Sequence, residues 1–98
     1  MKKSVDPTFN AFHAIVHGMV QGVGFRYWAL NAATAAGLTG WVRNLDNGTV
    51  ELLCEGPQSR LDQFAALLER GAPGSRVSRV ELRPVVPRGT WEQFSIAV

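Results

Sequence analysis

The chain has 98 residues, 46% of them hydrophobic and 18% charged, with a formal net charge of +2. That length supports one domain with a modest core, which must be built from at least two packed layers. The composition excludes a disordered chain, and the small charge excess, with no run of five or more basic residues, favours anionic small molecules over nucleic acid.

Residues 1–10 carry two lysines and no apolar stretch of the signal-peptide kind. They are expected to form a flexible tail ahead of a single domain over residues 11–98, and a cytoplasmic location is the expectation. Phe12, Ala14 and Val16 alternate with His13, Ile15 and His17, which predicts a first strand over 11–18. In residues 25–36, Phe25, Ala29, Ala32, Ala33 and Ala36 share one helical face, and Gly37 is placed to end that helix. A second strand over 39–44 and a third over 49–55 flank Asp46-Asn47-Gly48, a strong hairpin turn. On the third strand Val50, Leu52 and Cys54 face one way. Thr49, Glu51 and Glu55 face the other, taken as outward.

Gly56-Pro57 opens a second helix, with the proline in its first turn and Leu61, Phe64, Ala65 and Leu68 on its apolar stripe. Gly71 ends it. A strand over 77–85 follows, with Val80 and Leu82 set against Arg79, Glu81 and Arg83, and a last short strand covers 94–98. The order β-α-β-β-α-β plus an extra C-terminal strand predicts an α+β ferredoxin-like sandwich. One mostly antiparallel sheet would carry two helices on one face. The longest apolar run is far short of a membrane span. Cys54 is the single cysteine, which excludes an internal disulfide and a cysteine-rich zinc site, and it is expected to be a small core hydrophobe. His13 and His17 are expected on the exposed sheet face or its edge.

The run GMVQGVGFR, residues 18–26, joins the first strand to the first helix. Gly22 and Gly24 allow backbone turns that a Cβ would hinder. Successive N–H groups in such a turn, with the positive end of a helix dipole, form a concave anion site. Arg26 adds a planar fork that matches phosphate. Other phosphate chemistries fail on position. A P-loop needs Gly-Lys-Ser/Thr, yet Gly24 is followed by Phe25 and Arg26. A dinucleotide fingerprint needs a third glycine where Tyr27 stands. A cysteine phosphatase needs a thiolate where Val20 stands. The loop therefore binds an anion and supplies no nucleophile. A second cluster, GWVRNLDNGTVE over residues 40–51, places Asn44 at a strand end near the mouth of that loop. A carboxamide is no base at neutral pH, but it can orient a water.

These two runs, in this order and with Arg26 and Asn44 eighteen residues apart, closely resemble the signatures of the acylphosphatase family. Glu55-Gly56-Pro57 and Phe94-Ser95-Ile96 fit as well, and the likeness covers nearly the whole chain after Phe12. Ala29 departs from it, standing where many members have threonine. The resemblance implies hydrolysis of small acyl phosphates to a carboxylate and inorganic phosphate by a monomer. It implies no metal, no cofactor, and no nucleic-acid or membrane partner. It assigns Arg26 to the phosphate and Asn44 to the attacking water, with the amides of Gln21, Gly22, Val23, Gly24 and Phe25 cradling the phosphoryl oxygens.

Two alternatives differ in class. A ferredoxin-like domain can bind single-stranded RNA through aromatic residues on its sheet. Here the similar run Gly24-Phe25-Arg26 enters a helix instead, and the outward carboxylates of the third strand oppose phosphate. A carbamoyl-phosphate-handling domain, similar to the acylphosphatase-like end of hydrogenase-maturation proteins, would require this chain to be a fragment.

Overall fold

The computed structural model describes residues 8–98. The chain runs β1 (Phe9–Met19), α1 (Phe25–Ala35), β2 (Thr39–Asn44), β3 (Val50–Pro57), α2 (Gln58–Arg70), β4 (Arg76–Val85) and β5 (Phe94–Ile96). The strands form one five-stranded sheet in the order β4-β1-β3-β2-β5. β1 pairs antiparallel with β3 and β4, β2 pairs antiparallel with β3, and β5 joins parallel to β2. This is the expected ferredoxin-like sandwich.

Period-two alternation decides which side of the sheet is covered. Phe12, Ala14 and Val16 of β1, Val42 of β2, and Val50, Leu52 and Cys54 of β3 are all buried. They form one core with Phe25, Ala29 and Ala33 of α1 and Leu61, Phe64 and Leu68 of α2. The small alanines let α1 lie close to the sheet, because each holds the helix backbone off by no more than a methyl group. Ala29 is fully buried in that contact.

Register places the site. Val16 of β1 and Asn44 of β2 both lie opposite Val50 of β3. The exit of β1 and the exit of β2 therefore stand at the same end of the sheet, on either side of β3. The loop of residues 20–24 and the turn of residues 45–49 project there together.

The structure departs from the sequence reading at several points. β1 begins at Phe9, because Phe9 and Asn10 pair with Pro57 and Gly56. The rest of the expected tail, residues 1–7, lies outside the described residues. Pro57 is the last residue of β3 and the N-cap of α2, with φ −61° and ψ 141°, and so stands before the first turn. The proline ring fixes a φ that suits either position, so the sequence did not separate them. β5 ends at Ile96, although the Ala97 N–H still donates to the Val42 carbonyl at 2.8 Å.

The outward reading of Thr49 and Glu55 is also corrected, since both are buried. Thr49 is held in the turn, its N–H and hydroxyl donating to Asn47 Oδ1. Glu55 is 1% exposed because the connection from β4 to β5 crosses it. The Arg88 and Gly89 N–H groups donate to its two carboxylate oxygens at 2.8 and 2.9 Å. Alternation reports which face a side chain takes and is silent on what a distant segment lays over it.

Glu55 thus ties the crossing connection to the sheet at the end opposite the loop of residues 20–24. Hydrogen bonds to a charged group contribute about 1.5–3 kcal/mol, and stranding their donors costs a similar amount. Glu55→Ala is expected to lower unfolding free energy by about 2–3 kcal/mol in urea denaturation. A loss below about 0.5 kcal/mol, the range of an ordinary surface substitution, would refute the tie.

Candidate active site

The loop of residues 20–24 is pinned from both ends. Val20 and Phe25 are each 1% exposed and enter the core, and Val23 packs against that core from between them. The backbone between these anchors must turn sharply. Gly22 and Gly24 do so at φ +75° and +78°, in the left-handed region that a Cβ disfavours. Gly24 is also the N-cap of α1, and its carbonyl accepts the first helical hydrogen bond, from the Trp28 N–H at 3.0 Å.

A glycine cap has no side chain to offer. No side chain caps α1, and its first turn holds no acidic residue. The leading N–H groups of a helix have no intrahelical acceptor, and they sit at the positive end of its dipole. The two helices differ here. At α2 the Gln58 N–H donates to the Thr8 carbonyl at 2.8 Å, whereas the start of α1 is open among the described residues.

Arg26 is the second residue of α1 and forms no ion pair or hydrogen bond among the described residues. Asn44 closes β2, one residue before the turn. The two meet across a concavity of about 70 Å³ lined by Val20, Gly22, Gly24, Phe25, Arg26, Tyr27 and Asn44. A water needs roughly 10–15 Å³ by a comparable measure, so several water-sized groups fit there and a bulky one does not. Among the described residues no carboxylate lines the concavity. Its charge comes from a guanidinium and a helix N-terminus, which together select an anion.

Asn44 Oδ1 is buried and has no hydrogen-bond partner among the described residues. A stranded acceptor of this kind costs about 1–3 kcal/mol unless a donor reaches it. The oxygen therefore calls for a donor in the concavity, and water is the simplest. A larger hollow of about 380 Å³ carries Arg70 but lies at the C-terminal end of α2, where the helix dipole disfavours an anion. The groove of about 240 Å³ between α2 and the β1–β4 edge is lined by Phe12, Leu61 and Pro84 and carries Asp62, the wrong sign for an anion.

Of the residues expected in the anion grip, the structure brings Gly22, Gly24, Phe25, Arg26 and Asn44 around one concavity. Gln21 and Val23 do not line it. The Gln21 side chain turns instead toward the turn of residues 45–49. Sequence reasoning missed Tyr27, which lines the mouth and is 67% exposed. The signal was its place directly after Arg26 on the first turn of a helix, where side chains lean back over the preceding turn.

Cys54 takes no part in the concavity, and burial pushes its thiol well above the ordinary range, so it remains a neutral core residue. Among the described residues, no group of three or more His, Cys, Asp or Glu side chains is placed to hold a metal ion. No described helix is long and apolar enough to cross a membrane.

A sequence profile of acylphosphatases matches residues 12–96. The chain belongs to the acylphosphatase family. By that membership it is a hydrolase of the acylphosphatase class. It is 41% identical to an acylphosphatase of Syntrophotalea carbinolica over 81 residues, covering 83% of this chain and 88% of that one. The crystal structure of acylphosphatase from Bacillus subtilis superposes with a TM-score of 0.87 at 38% identity, covering 91% of this chain and 99% of that one. HypF of T. kodakarensis contains a similar unit, with a TM-score of 0.79 and 31% identity, covering 91% of this chain and 12% of that one.

Beside Asn44, the open sheet face carries a charge network. Arg43 Nε donates to Glu51 at 2.6 Å, His13 Nε2 lies 2.7 Å from the same carboxylate, and the Arg43 guanidinium lies over the Trp41 ring. His13 is thus on the exposed-face side as expected, and His17 is paired there with Glu81. Burial works against ionisation of Glu51, but the hydrogen bonds from His13 and Arg43 outweigh it and hold the carboxyl below its ordinary 4.5. A depressed folded-state pKa contributes stability that is complete above the unfolded value and fades as pH falls through the folded one. Native protein should therefore lose stability more steeply than Glu51→Gln below about pH 4.5. Urea midpoints measured across that range test this, and parallel acid limbs would contradict it.

Proposed function

We propose that the chain hydrolyses small acyl phosphates by holding the phosphoryl group at the open start of α1 while Asn44 aims a water at phosphorus. The observation that carries this reading is the buried Asn44 Oδ1, unpartnered among the described residues, sharing one concavity with an arginine and a helix N-terminus that are likewise unpaired and uncapped among them.

The chemistry asks little else of the protein. Phosphoryl transfer passes through a loose transition state whose charge spreads over three equatorial oxygens, so positioning and charge stabilisation supply most of the catalysis. The N–H groups of Gly22, Gly24 and Phe25 and the Arg26 fork meet that charge from the protein side. The leaving group is a carboxylate whose acid has a pKa of about 4–5, so it departs without a general acid. Little proton transfer is needed early in such a loose attack, and a neutral carboxamide oxygen accepting from the water can orient its lone pair. The acyl phosphate dianion and water give a carboxylate and dihydrogen phosphate, so atoms and charge balance.

The absence of an acidic residue from the first turn of α1 supports the same reading, because the stabilising negative charge is then the substrate's own. One chain supplies every group invoked, consistent with a monomer that uses no metal or cofactor. A cytoplasmic location accords with a lone buried cysteine that is unpaired. The small volume of the concavity leaves the acyl group outside it, next to exposed Tyr27.

Phosphate release from acetyl phosphate and benzoyl phosphate, assayed with a chelator present, tests the proposal. Native protein should turn over at least one of them. Asn44→Ala should lower kcat by about 10²–10³, the range for losing one preorganised donor or acceptor at a reacting centre, and Arg26→Ala by at least as much. Both variants should keep the native circular dichroism spectrum. Full activity in either folded variant would remove that residue from the mechanism.

A further inference from the structure

The site is made from two separate pieces of chain. Residues 20–24 and the start of α1 hold the anion, whereas Asn44 stands at the edge of a turn that closes more than twenty residues later. A water held by Asn44 is useful only if the two pieces keep their spacing. Displacements of about 1 Å in reacting groups can cost a hundredfold in rate.

One side chain spans the gap. Gln21 Nε2 donates to the Leu45 carbonyl at 2.8 Å and to the Thr49 carbonyl at 2.9 Å. Both amide hydrogens of its carboxamide are thereby used. The same two carbonyls close the turn itself: Leu45 O accepts from the Gly48 N–H at 3.2 Å, and Thr49 O accepts from the Leu45 N–H at 2.9 Å. A carbonyl has two lone pairs, so each of these oxygens serves the turn with one and Gln21 with the other. Leu45 is covalently next to Asn44, and Gln21 lies between Val20, anchored in the core, and Gly22, which lines the concavity.

We propose that the Gln21 side chain is a positioning residue for hydrolysis, a two-pronged strut that fixes the distance between the phosphate-holding loop and the water-orienting Asn44. This rests on the reading of Arg26 and Asn44 given above. The strut touches neither substrate nor water. Its effect falls on where Asn44 Oδ1 stands relative to the anion, so it governs turnover while leaving phosphate affinity to the loop and Arg26.

The test compares Gln21→Met, of similar length but without donors, with native protein in kcat for benzoyl phosphate and in competitive inhibition by inorganic phosphate. The expected result is a kcat lower by about 10- to 100-fold, the scale of a modest displacement of a reacting group, with the phosphate inhibition constant changed by less than about threefold. Undiminished kcat overturns the strut, as does a parallel loss of phosphate affinity, which would mean that the loop itself had collapsed. Gln21→Glu gives a second reading should the methionine variant fold poorly. Its ionised carboxylate repels the two carbonyls, and its neutral form donates one hydrogen. Its activity relative to native protein should therefore rise as pH falls toward the carboxyl range near 4–5, and a constant ratio overturns the proposal. Asn44→Ala, run alongside, separates the two claims: inactivity there with full activity in both Gln21 variants removes the strut alone, whereas full activity in Asn44→Ala removes the reading beneath it.

Discussion

A small domain can hold a multiply charged anion with its own backbone only where several N–H groups lack acceptors and no carboxylate comes near. The start of α1 meets both conditions. Gly24 occupies the cap position in a left-handed conformation and brings no side chain to satisfy the helix. No acidic residue stands in the first turn, and Arg26 has no partner among the described residues. In an ordinary helix these would be local defects, since a capping side chain is worth about 1 kcal/mol and an acid in the first turn adds a few tenths or more. Here they concentrate unspent positive potential at one point, and on the proposed reading the stability they forgo is recovered when an anion binds.

The rest of the fold holds that point against Asn44. β1 and β2 flank β3, both antiparallel to it, so their exits fall at one end of the sheet. The helix start is secured by Val20 and Phe25 in the core, and Asn44 by the sheet register and the closed turn after it. Two rigid pieces, each fixed by burial or backbone pairing, suit the proposed chemistry, which needs no nucleophilic side chain. At the opposite end of the sheet Glu55 holds the crossing connection through main-chain donors.

Sequence pattern was most informative where one local cause dominates. The alternation Phe12, Ala14, Val16, the alanine face of α1 and the stripe Leu61, Phe64, Leu68 each report a single packed face, and each is buried. The glycine turn and Arg26 were legible because conformation and chemistry coincide in adjacent residues. Asn44 was placed by its distance along the chain and by strand geometry, which put it at the correct end of the sheet. What escaped were features made by distant segments. Glu55 looks like a solvent-facing residue until the 86–93 connection lies over it. Gln21 looks like one more loop amide until its side chain is seen to reach residues that are far away in sequence. Pro57 satisfies a strand end and a helix start equally well, and pairing with Phe9 decides the matter.

The direct measurement is a titration of the isotope-labelled native protein with inorganic phosphate, followed by backbone and side-chain amide resonances. If the open helix start and the carboxamide form one anion pocket, the amides of residues 22–27 and the Asn44 side-chain NH₂ will shift together along a single saturation curve. Shifts confined to Arg79 and Arg83 of β4, which pair with His17 and His13 away from the loop, with the glycine loop unmoved, would contradict the account at its root.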